Sequence, residues 1–181
     1  PPPPTPDPPR LPPYTPGMAG TAQQHTIVMI PGDGIGPEVT DAAKRVIEAS
    51  GAKVKWEVCP AGASAVEVHG HANVLPEVTL EAVRHHKVAL KGPVTTPVGK
   101  GFKSVNVQLR QKLNLYAAVR PVRSLAGVKT RYDGVDMVIV RENTEGLYSG
   151  IENEVIPGVV TSLKVATEQA CMRIARYAFR Y

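Results

Sequence analysis

Cysteine is nearly missing from this sequence: Cys59 and Cys171 are the only two in 181 residues. A single pair cannot build a disulfide framework, so both are expected as buried free thiols in a reducing compartment. Aromatic side chains are scarce too, at 5%, and no run of lysine and arginine exceeds two adjacent positions, as at Lys44 and Arg45. Without a basic stripe or a recognised module, a nucleic-acid partner is not expected. Long apolar runs are also lacking. The longest, Thr26–Ile30 and Val135–Val140, hold five and six residues, against about 20 for a helix that crosses a bilayer, so no membrane partner is expected either. His69, His71, His85 and His86 have no cysteine or carboxylate at metal-ligand spacing and read as surface residues.

What is present is unevenly distributed. Ten of the 18 prolines fall within the first 16 residues. Such a stretch has few amide donors and almost no apolar side chains, so residues 1–24 are expected to form a disordered, solvated leader. It could serve as a PxxP ligand, but an unstructured leader or an artefact upstream of Met18 is the simpler reading. It has one arginine and no apolar core, and so matches neither a secretory signal nor a mitochondrial presequence. The 21 basic residues outnumber the 16 acidic ones by five. Spread as they are, they suit the steering of small anionic substrates into a cleft.

From Thr26 onward short strands alternate with helices. Thr26–Ile30 reads as a buried strand and Pro31-Gly-Asp-Gly-Ile-Gly36 as the turn after it. Pro37 then opens a helix carrying Val39, Ala42, Ala43, Val46 and Ile47 at helical spacing, with Gly51 to end it. Val54–Val58 is the next strand; residues 62–69 and 76–86 read as helices, and Val88–Leu90 as a short strand. Residues 104–113 form a helix, while Leu115–Val119, Val135–Val140 and Val159–Thr167 read as strands. The alternation predicts an α/β fold with a largely parallel sheet. Residues 167–181 place Ala170, Cys171, Ile174, Ala175, Ala178 and Phe179 on one helical stripe that runs to Tyr181 without a stop signal. The chain is therefore read as the front part of a longer protein.

Two patterns carry chemistry. The Gly32-Asp-Gly-Ile-Gly36 turn lies between a strand and a helix N-terminus, where backbone amides attract anions. Its spacing is GxGxG rather than the GxGxxG of dinucleotide folds, even with Glu57 near the end of the next strand, so a tight structural turn explains it as well. The arginines say more. Arg110 lies on a helix, Arg120 follows the strand Leu115–Val119, and Arg141 follows the strand Val135–Val140. A lone arginine at a strand end is usually a solvated surface residue. Three, with Ser104 and Asn106 about a turn before Arg110, make a rigid donor set for carboxylates or phosphate. Tyr148, seven residues after Arg141, would by itself be read as a packed tyrosine.

Five stretches together resemble the isocitrate/isopropylmalate dehydrogenase family, in the family's order. They are Ile30-Pro-Gly-Asp-Gly-Ile-Gly-Pro-Glu-Val39, Lys91-Gly-Pro-Val-Thr-Thr-Pro97, Ser104-Val-Asn-Val-Gln-Leu-Arg110, Leu115-Tyr-Ala-Ala-Val-Arg-Pro121 and Val140-Arg-Glu-Asn-Thr-Glu-Gly-Leu-Tyr-Ser-Gly150. The resemblance covers roughly residues 25–181 and corresponds to the family's N-terminal half. It implies an α/β fold that is not a Rossmann fold: residues 25–117 would begin a large α/β domain, and 118–181 a smaller inserted dimerisation domain. The cleft between the domains would be completed across a dimer or higher oligomer. Ser104 with Asn106 resembles the isocitrate enzymes more than the isopropylmalate enzymes, which have apolar residues there; homoisocitrate and tartrate enzymes share the Arg141–Gly146 stretch.

The resemblance implies oxidative decarboxylation of isocitrate, with hydride passing to NAD (NADP being the alternative) and a divalent metal, Mg2+ or Mn2+, stabilising the enolate. Arg110, Arg120 and Arg141 would clamp carboxylates, Ser104 and Asn106 would hydrogen-bond the substrate, and Tyr148 would give a proton to C3. Ile35, Lys91, Thr95, Thr96 and Asn106 would meet the cofactor. The metal-binding aspartates, the partner-subunit lysine beside Tyr148 and most of the adenosine pocket would lie beyond Tyr181. Alone, the 181-residue chain is expected to be inactive and to expose apolar faces. The implied setting is the tricarboxylic acid cycle, in the cytoplasm or, in a eukaryote, the mitochondrial matrix. A non-catalytic regulatory subunit is the alternative of another class.

Overall fold

A computed structural model describes residues 24–70, 73–95 and 104–181. The leader, apart from Gln24, and Thr96 lie outside the described residues. Strand β1 (His25–Ile30) is the centre of a three-stranded parallel sheet, with β2 (Val54–Val58) on one side and β3 (Ala89–Lys91) on the other. Its inward residues Val28 and Ile30 are fully buried, as expected of a central parallel strand covered by helices.

Helix α1 (Gly36–Ala49) connects β1 to β2. Pro37 occupies its first turn, where a missing N–H costs no helical bond, and Gly51, at φ +84°, closes it in the left-handed region. Helices α2 (Ala63–His69), α3 (Glu77–His86) and α4 (Val105–Lys112) follow. Leu80 of α3, Val74 and Leu75 before it, and Val105 and Leu109 of α4 join Val28 and Ile30 in one apolar core. Burying side chains of this size contributes roughly 1.5–3 kcal/mol each.

The expectation of a largely parallel sheet holds only as far as β3. Strand β4 (Ala117–Arg123) pairs antiparallel with β5 (Asp136–Glu142), and β6 (Gly146–Ile156) pairs antiparallel with β7 (Val159–Val165). For β6 and β7, connection length explains the difference. Parallel neighbours need a crossover of a dozen or more residues, usually helical. Pro157 and Gly158 alone join β6 to β7, so those strands must reverse. The sequence pattern does not announce β6, whose polar Glu152, Asn153 and Glu154 hide the strand.

Helix α5 (Glu168–Arg180) begins at Thr167, whose side chain accepts a hydrogen bond from the Ala170 N–H. Of its expected stripe, Ala170 is buried and Phe179 is 94% exposed. Both cysteines are free as expected, but only Cys59 is buried; Cys171 is exposed because nothing among the described residues covers that side of α5.

Candidate functional site

The sheet order marks one end of the molecule. From β1 the chain leaves through α1 to β2 on one side, while β3 lies on the other. Where connections diverge in this way, a crevice opens at the carboxyl ends of the strands, the usual ligand position in open α/β sheets. The Gly32–Gly36 turn and the segment after β3 meet there. Gly92 N–H donates to Ile30 O and Asp33 N–H donates to Pro93 O, both at 2.8 Å. Gly32, at φ +82°, lies so close to Pro93 that a Cβ would collide with its carbonyl oxygen. Gly32 and Gly36, which a Cβ would drive into the Pro31 and Pro93 carbonyls, are therefore required by backbone-to-backbone contacts.

Asp33 secures this arrangement, a role that no signal in the sequence announces. Its carboxylate accepts from the N–H groups of Ala63 and Ser64, at 3.0 and 2.8 Å, and of Thr95, at 2.6 Å. One side chain thus ties the first turn to the start of α2 and to the loop after β3. Burial works to raise its pKa, but hydrogen bonds from Thr95, Ser64 and Ala63 outweigh it and hold the carboxyl below its ordinary value. Lys91 donates to Gly92 O at 2.7 Å. Burial, then the nearby Arg110 charge, lowers its pKa, with Asp33 opposing. Ile35, at the N-cap of α1, is 62% exposed on the same turn. The structure thus gathers Ile35, Lys91 and Thr95 around one turn.

The residues expected on the substrate side come from α4 and the antiparallel ribbons. Ser104 is the N-cap residue of α4, yet its hydroxyl makes no capping bond. Asn106 and Arg110 follow four residues apart, hence on one helix face. Arg120 and Arg141 lie within β4 and β5, not after them, because both strands outrun their apolar cores. Arg141 is opposite Ala118 and Arg120 opposite Ile139. Opposed residues and residues two apart share a face, so the two arginines are diagonal neighbours on one side of the ribbon.

Tyr148 is the point of convergence. Arg141 Nη2 donates to its hydroxyl at 2.6 Å, and the Arg141 guanidinium carbon lies 5.4 Å from the ring centroid. Arg110 approaches the same ring at 5.7 Å, within cation–π range. Gln111, the residue after Arg110, donates to the Tyr148 carbonyl at 2.7 Å; nothing in the sequence pattern singled it out. Because the phenol oxygen accepts from Arg141, its own hydrogen is left for another acceptor. Arg120 is exposed, and beyond its backbone pairing with Ile139 its side chain makes no hydrogen bond or ion pair to a described residue. Among the described residues no group of three or more His, Cys, Asp or Glu is placed to hold a metal ion.

Comparison with known proteins bears on the family and the fold. The family pattern described as isocitrate/isopropylmalate dehydrogenase matches residues 26–181. Over 157 residues the chain is 51% identical to the mitochondrial isocitrate dehydrogenase [NAD] catalytic subunit 5 of Arabidopsis thaliana, covering 86% of this chain and 41% of that one. It is 50% identical over 154 residues to the chloroplastic 3-isopropylmalate dehydrogenase of Solanum tuberosum, covering 84% and 42%. The crystal structure of isocitrate dehydrogenase from Methylococcus capsulatus superimposes with a TM-score of 0.79 at 51% identity, over 87% of this chain and 47% of that one. The chain thus spans less than half the length of these relatives.

Proposed function

The chain belongs to the isocitrate/isopropylmalate dehydrogenase family, and on that premise we propose that the enzyme built on it converts isocitrate to 2-oxoglutarate by oxidative decarboxylation, with NAD as hydride acceptor. The observation that carries this reading is the convergence of Arg110 and Arg141 on Tyr148. Two guanidinium groups supply paired donors for carboxylates, and a phenol between them can deliver a proton to the carbon next to the departing one. Arg120 extends the clamp along the same ribbon face. Ile35, Lys91, Thr95 and Asn106, with Thr96, would face the nicotinamide. NAD is preferred over NADP because the Arabidopsis relative is named for NAD.

The reading includes a divalent cation, Mg2+ or Mn2+, which would stabilise the enolate. We assign it no ligand among the described residues. A body with the parallel sheet ending before β4 and antiparallel ribbons starting at Ala117 supports a division into domains near residue 117. Oligomerisation as a homodimer or larger assembly, a place in the tricarboxylic acid cycle, and residence in the cytoplasm or mitochondrial matrix belong to the same proposal. The six substrate-side residues Ser104, Asn106, Arg110, Arg120, Arg141 and Tyr148 are all present, which favours a catalytic over a regulatory subunit.

Identities of 51% and 50% to an isocitrate and an isopropylmalate enzyme do not separate the two substrates. Ser104 does, because its half-buried hydroxyl is not spent on capping α4. It is free to bond a carboxylate, whereas an isopropyl group would leave it unsatisfied. A charge-assisted hydrogen bond contributes about 1.5–3 kcal/mol, or roughly 10–150-fold in specificity. In the complete enzyme Ser104→Leu is expected to lower kcat/KM for isocitrate by that factor and to favour isopropylmalate relatively. An unchanged ratio of the two kcat/KM values would remove the choice of isocitrate.

A further inference from the structure

We propose that Glu142 and Arg173 are positioning residues that set the Arg141–Tyr148 pair, by bolting the link between β5 and β6 to helix α5. The inference rests on the reading of Tyr148 given above and extends it to residues that touch neither substrate nor cofactor.

The link is short and its ends are functional. Arg141 is the next-to-last residue of β5, Tyr148 is the third of β6, and Asn143–Glu145 lie between the strands. A 2.6 Å hydrogen bond from Arg141 to the Tyr148 hydroxyl requires both ends of this span to be placed well within an ångström. The Glu142 carboxylate folds the link onto itself, accepting from the N–H and hydroxyl of Thr144 at 2.8 and 2.5 Å and from the Glu145 N–H at 2.9 Å. Burial works to raise its pKa, but these bonds and Arg173 hold the carboxyl below its ordinary value.

Helix α5 then grips the folded link at two points. At its start, Glu145 accepts from the N–H and hydroxyl of Thr167, at 2.8 and 2.7 Å. Six residues further on, Arg173 donates to Glu142 at 3.2 Å, to Asn114 at 3.0 Å and to the Thr144 hydroxyl. Its guanidinium carbon also lies 4.9 Å from the Tyr116 ring centroid. The ion pair is largely shielded, with side-chain exposures of 28% for Arg173 and 21% for Glu142. An arginine used only to decorate a surface would not need four partners drawn from β5, the β5–β6 link and the turn before β4. Glu142 and Thr144 lie on the one stretch that joins the clamp to the phenol, while Asn114 and Tyr116 fasten the same guanidinium to the turn between α4 and β4.

The test uses the complete enzyme with 3-fluorotyrosine incorporated and the Tyr148 resonance assigned by its loss in Tyr148→Phe. Arg173→Met keeps the apolar stem and removes every donated bond. It is expected to shift or broaden the Tyr148 fluorine signal. It should also lower kcat for isocitrate about tenfold, short of the roughly 100-fold that an ångström of misplacement can cost. In a Tyr148→Phe background the same substitution should change kcat less than threefold, since two residues acting through one group are not additive. Glu142→Gln, which keeps shape, is the second variant should Arg173→Met fail to fold, and the same signal is expected to move. An unmoved Tyr148 resonance, or kcat losses that multiply fully in the double variant, overturns the proposal. A moved resonance with a Tyr148→Phe enzyme of normal kcat leaves positioning supported and sinks instead the proton-donor reading on which its purpose rests.

Discussion

Tyr148→Phe in the complete enzyme is expected to lower kcat for isocitrate by 10²–10⁴-fold, about 3–5 kcal/mol of barrier, while KM changes little. The expectation follows from what the substitution keeps. A phenyl ring retains the faces that Arg110 and Arg141 approach at 5.7 and 5.4 Å. The ribbon pairing that holds Arg141 against Ala118 is also unaffected. What disappears is the hydroxyl, which accepts from Arg141 and carries the proton that the proposed enolate would receive. Hydride transfer uses none of these atoms, so reduction of added oxalosuccinate by NADH should survive in the variant while overall turnover collapses. A kcat within threefold of wild type would make Tyr148 a packed tyrosine and no more.

Local signals held from β1 to β3. Val54–Val58 was readable to the residue, and α1 to within one, because Pro37 and Gly51 act through their own backbones. The ribbons were readable only in part. Nothing local distinguishes an antiparallel β4–β5 pair from two strands of a parallel sheet, and β6 carries three consecutive polar residues. The donor set was legible as residue types, since the arginines stand out in the sequence, whereas Tyr148 is singled out only by the family resemblance. Its convergence was not, because that depends on how β5 and β6 reverse. The supporting residues were least legible of all. Asp33 meets Thr95 across 62 positions, and Arg173 meets Asn114 across 59. Periodicity and motif spacing operate over one or two elements, so a carboxylate that binds backbone amides far along the chain leaves no trace in them.

Asp33 is where that hidden layer has its largest expected effect on stability. Asp33→Ala leaves the N–H groups of Ala63, Ser64 and Thr95 without their acceptor. Charge-assisted bonds contribute about 1.5–3 kcal/mol each, but these three share one half-buried carboxylate and do not add in full, so a total loss of roughly 3–5 kcal/mol is expected. The urea midpoint should fall with an unchanged m-value. Because Thr95 is held by the same group, KM for NAD should rise more than KM for isocitrate. The pH dependence gives the sharper check. Asp33 has a folded-state pKa below its ordinary value, so its stabilisation is present above the unfolded value of about 3.9 and is lost as pH falls through the folded one. Wild type and Asp33→Ala should therefore differ most at pH 6–7 and converge toward pH 3. If the gap in urea midpoint were the same at pH 3 and pH 7, the ionised carboxylate would not be what joins the first turn to α2 and the Thr95 loop.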